Sequence, residues 1–144
     1  MANRNWANGG KIMSMHVAPV LANVNVTIGA TGAVSSFVGT ITASVTHVST
    51  GIYRINFQNN NNFGGGATNF SALFMAAGSV QSPVSGLSGV LGVEIQNAPN
   101  TSVSSTSAPS LTVKCLDPAG ALVDPASGSV LSVIMFLSNS KTPA

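Results

Sequence analysis

At 144 residues the chain fits one domain and leaves no room for two comfortable ones. Only 6% of it is charged, as five basic residues (Arg4, Lys11, Arg54, Lys114, Lys141) and three acidic ones (Glu94, Asp117, Asp124), against a usual share of about a quarter. The net charge of +2 comes from scattered positives that form no stripe, which argues against nucleic acid as a partner despite a pI near 9.1.

A surface of Ser, Thr, Asn and Gly in place of mixed charge is what a covered exterior calls for, and Val, Ile, Phe and Met spread through the chain speak against disorder. The first eleven residues, MANRNWANGGK, are polar and lack the apolar core of a secretory signal. Met1 to Lys11 reads as an extended N-terminal arm, with residues 12–144 as a single β domain. In the arm, Asn8 and its neighbouring asparagines can bond to exposed backbone, and Gly9 and Gly10 let the chain turn. Arg4 and Trp6 supply the cation and aromatic ring enriched at binding hot spots, so Arg4, Trp6, Asn8 and Lys11 are the candidate partner-binding residues.

Beyond the arm, helix formers are scarce and β-branched residues recur, which predicts an all-β chain. Val24, Val26 and Ile28 alternate with Asn23, Asn25 and Thr27, and Ile41, Ala43 and Val45 alternate with Thr and Ser. FVGTITASVTHV and GIYRINF form two strand-like runs joined by Ser49-Thr50-Gly51, a hairpin whose second arm turns Tyr53, Ile55 and Phe57 to the core. QNNNNFGGGAT reads as a loop. NFSALFMAAG fits a helical stripe or a strand, and the β character of its surroundings favours the strand.

Val90 to Gln96 and Leu111 to Leu116 are the next strands, separated by the Ser/Pro-rich APNTSVSSTSAPS. Ser129 to Leu137 is almost continuously apolar, which predicts a central strand covered on both faces, and its stretch Val130 to Leu137 is too short to span a bilayer. Short strands divided by Gly, Pro, Asn and Ser describe a single-domain antiparallel β-sandwich or small barrel, with jelly-roll order one option among several.

Chemistry is hard to assemble from these residues. His16 and His47 have no acid or cysteine at metal-ligand spacing, Cys115 is the only cysteine, and neither zinc nor any other cofactor is expected. Asp117 and Asp124 each precede a proline, which reads as turn initiation rather than an acid/base pair. Gly64 to Gly66 has no following Lys-Ser or Lys-Thr, and no GxSxG is present. The chain reads as non-enzymatic, with Cys115 as a small buried apolar residue.

MANRNWANGGKIMSMHVAPVL resembles the start of small virion structural proteins of tailed bacteriophages, and VSTGIYRINF followed by NFSALFMAAG resembles a hairpin pattern of phage fibre and decoration modules. LTVKCLDPAGALVDPASGSVLSVIMFL is similar to their last two strands. The resemblance implies a stand-alone virion protein on the capsid or tail with no active site to carry over, while the polar N-terminus, the short apolar run and the scattered charges separately predict synthesis in the bacterial cytoplasm and neither membrane nor nucleic acid as a partner. Its first form is a capsid decoration or cement protein: a homotrimer on the outer capsid surface that binds the major capsid protein and stabilises the shell. The alternative is a tail fibre, spike or other tail component contacting the host surface.

Overall fold

The computed structural model describes residues 19–40, 42–57, 72–100 and 110–138. Alternation is why these segments are strands: on a pleated backbone every second side chain can be buried, and here every second one is apolar. The strands are β1 (Pro19–Ile28), β2 (Val34–Gly39), β3 (Thr42–Ser49), β4 (Ile52–Phe57), β5 (Ala72–Gln81), β6 (Gly92–Asn100), β7 (Ser110–Leu116) and β8 (Val130–Ser138). Two four-stranded antiparallel sheets result, ordered β2-β1-β8-β5 (sheet A) and β3-β4-β7-β6 (sheet B). The chain is an all-β sandwich.

The core lies between the sheets. Ala22, Val24, Val26, Ile28, Leu131, Val133 and Met135 face inward from sheet A, and Tyr53, Ile55, Phe57, Leu111, Val113 and Cys115 meet them from sheet B. Each of the larger aliphatic side chains stabilises the fold by about 1.5–3 kcal/mol on burial. The core face of β4 is therefore the one its alternation marks, and Cys115 is a buried apolar-like residue.

Three boundaries differ from the sequence reading. FVGTITASVTHV is not one strand, because the chain crosses from sheet A to sheet B after Gly39. Thr40 ties that corner down: its backbone N–H donates to the Asn23 carbonyl at 2.9 Å and its hydroxyl to Asn23 Oδ1 at 2.7 Å. A bulge between Thr42 and Ser44 then shifts the alternation, so Thr42 is buried where a polar outward residue was expected. At the third boundary, β6 continues through Asn97 to Asn100, where a loop was expected, by means of a register shift between Gln96 and Asn100.

β8 departs from expectation in a more consequential way. It is central, between β1 and β5, but among the described residues only its inner face is covered. Ile134 stays 48% exposed and Phe136 37% exposed.

Candidate functional site

The four proposed partner-binding residues, Arg4, Trp6, Asn8 and Lys11, lie outside the described residues, as do the rest of the arm and His16. What the described residues present instead is a contrast between the two outer faces and a polar node at one end.

The outer face of sheet A follows from strand register. Leu21, Phe136 and Met75 stand in one row across β1, β8 and β5, and Asn23, Ile134 and Ala77 form the next. A third row holds Asn25, Ser132 and Ser79, with Val38 beside Asn25 on β2. The face thus grades from apolar to polar but uncharged, and none of these residues carries an ionisable group. Leu21, Val38 and Met75 are 61%, 77% and 53% exposed. Beside Ile134 lies a shallow depression of ≈ 160 Å³ lined by Ala77, Gly78, Ser79, Ser132 and Ile134.

The outer face of sheet B is built differently. Arg54 and Lys114 project from β4 and β7, and Glu94 on β6 sits directly opposite Lys114 in the register. The only other charged residues among those described, Asp117 and Asp124, lie in the β7–β8 connection. Sheet B therefore has the face expected of a water-exposed sheet, and sheet A does not.

At the end of the sandwich where β3 turns into β4, the β7–β8 connection brings Asp124 against His47. His47 Nε2 and Asp124 Oδ1 are 2.8 Å apart, and the same oxygen accepts the Gly51 backbone N–H at 2.6 Å. The His47 ring stacks on Tyr53 with centroids 5.1 Å apart, and the Tyr53 hydroxyl donates to the Gly32 carbonyl at 2.9 Å. Glycine is required twice here. Gly51 has φ +68, and a Cβ on Gly32, at φ +74, would lie 2.4 Å from the Asp124 carboxyl carbon.

Burial and then the Asp124 carboxylate raise both the Tyr53 hydroxyl and the Cys115 thiol, the latter to about 12. A thiol held that high stays protonated and unreactive. The reading of both aspartates as turn formers holds for Asp117, whose Oδ1 accepts the Ala119 and Ala121 N–H groups. Asp124 is the correction: the partners of its carboxylate lie 73 and 77 residues away.

Sequence spacing gave no signal for this pair, since only the fold brings β3 and the β7–β8 connection together. Chemically, His47 and Asp124 form a hydrogen-bonded pair whose carboxylate also holds the Gly51 backbone amide, with no nucleophilic Ser or Cys bonded to His47 among the described residues. Their geometry is that of a tie between connections.

No family model matches the chain, and no curated protein or solved structure matches it. The fold defines a class, the two-sheet antiparallel β-sandwich.

Proposed function

We propose that the chain is a non-enzymatic structural subunit of a bacteriophage particle: a capsid decoration protein that sits on the outer capsid surface, binds the major capsid protein and reinforces the shell. The observation that carries this reading is the uncharged outer face of sheet A, with Leu21, Met75, Ile134 and Phe136 exposed on it. Keeping such side chains in water costs about 25 cal/mol for each Å² of apolar surface left uncovered, so a contiguous group of them marks a contact surface. The charged outer face of sheet B is suited to stay in solvent.

A compact sandwich with one uncharged, partly apolar outer face and one charged outer face suits a subunit that buries part of its surface in an assembly. The virion assignment itself rests on the resemblance of the N-terminal, hairpin and C-terminal segments to phage modules.

The test is to quantify the protein by mass spectrometry in purified particles of the phage that encodes it. Hundreds of copies per particle are expected. A handful would move the protein to a fibre, spike or other tail component, and none would remove it from the virion.

A further inference from the structure

Resting on the assembly reading above, but with a twofold contact in place of the trimer that the resemblance implies, we propose that the outer face of sheet A packs against the same face of a second copy of this chain. The charge pattern selects the occupant. Phosphates, lipid headgroups and acidic or basic peptides would find no ionised side chain in the three rows of this face to pair with. A second copy brings a neutral face to a neutral face, so no charge loses its water on contact.

Shape points the same way. The row holding Leu21, Phe136 and Met75 stands beside the depression that Ala77, Gly78, Ser79, Ser132 and Ile134 line. A twofold contact is isologous, so a projection of one copy that enters the depression of the other is repeated by symmetry. One face carrying both the projection and the depression meets that requirement. The small residues Ala77, Ser79 and Ser132 leave the depression open, and its volume of ≈ 160 Å³ has room for a single apolar side chain.

The area sets the strength. Four strands about 4.8 Å apart and some seven residues long, at about 3.4 Å each, make a face on the order of 450 Å². Pairing two copies covers roughly twice that, below the range of stable specific contacts and in that of weak, transient ones, which fits a reversible dimer and not a permanent one. Sheet-on-sheet stacking also completes what the apolar pattern of β8 asks for, a central strand covered on both sides.

The experiment is chemical cross-linking of single-cysteine positions in the full chain. Cys115 is the chain's only cysteine and is fully buried, so a cysteine added on an outer face is the accessible thiol. Ile134→Cys and Ser132→Cys would be compared with Thr112→Cys on sheet B, using a bismaleimide that spans roughly 10 Å, the separation of stacked sheets. The expected result is at least about tenfold more linked dimer from the two sheet A positions than from the sheet B position, abolished when Leu21→Lys is added.

Linking that is equal at all three positions, or absent at both sheet A positions, overturns the pairing. Should the pairing fail while the protein is still counted in hundreds per particle, the decoration reading stands and the face meets the capsid instead. Should both fail, the assembly reading falls with it.

Discussion

His47 Nε2 and Asp124 Oδ1 meet at 2.8 Å across 77 residues of chain, and the same carboxylate oxygen holds the Gly51 amide of the β3–β4 turn. One aspartate thereby ties the connection after β7 to the hairpin. Asp124→Ala is expected to destabilise the domain by about 2–3 kcal/mol, because it leaves a backbone N–H without its charged acceptor. His47→Ala, which removes only one of the two bonds, should cost about 1 kcal/mol. Urea denaturation of both single variants and the double variant reads the coupling, and strictly additive losses would contradict the tie.

Gly32 packs directly on that carboxyl group. Gly32→Ala combines an unfavourable positive φ with a collision against Asp124, so a loss of about 2 kcal/mol or more in thermal unfolding is expected. In an Asp124→Gly background the collision disappears and part of the loss should be recovered. Equal losses in the two backgrounds would mean that the strain is in the backbone alone.

Alkaline pH should weaken the fold. Burial and the neighbouring Asp124 charge raise the Cys115 thiol from 9.0 to about 12, and Tyr53 is raised for the same reasons. Below about pH 9 folded and unfolded chains both keep the thiol proton; above it the unfolded chain releases the proton while the folded one holds it, so stability falls as pH rises toward 12. The urea midpoint should decline steadily through that window and less steeply in Cys115→Ala. A midpoint that does not change with pH would contradict this assignment.

Neighbouring positions on β8 should respond to substitution in opposite ways. Leu131 is fully buried, and Leu131→Ala is expected to cost about 2–5 kcal/mol in denaturant unfolding. Ile134 is on the outer face, and Ile134→Thr, measured at a concentration low enough to keep copies apart, should stay within about 1 kcal/mol of the parent. Similar losses at both positions would show that Ile134 belongs to the domain's own core.

Much of this architecture is legible in the sequence wherever one face is buried and the other wet. Val24, Val26 and Ile28, like Tyr53, Ile55 and Phe57, announce their inward face by alternation, and all six are buried. The turn ending in Gly51, at φ +68, closes the hairpin its residue type suggests. Alternation says nothing of where a chain changes sheets, so the corner at Gly39 and Thr40 lies hidden within an uninterrupted β pattern. The apolar run of β8 predicts cover on both faces, but not that Ile134 and Phe136 stay exposed among the described residues. His47 and Asp124 leave no trace in local sequence because their proximity depends on the strand order of sheet B and the path after β7.

Sedimentation equilibrium of the purified protein, from about 1 to about 200 µM, tests most directly whether the uncharged face of sheet A pairs with a second copy. The account predicts a mass rising from the 14.4 kDa of one chain toward twice that value as concentration increases, and an Ile134→Lys variant that folds but stays at one chain throughout. A parent protein that remains at 14.4 kDa across the whole range, or an Ile134→Lys variant that associates as the parent does, would contradict it.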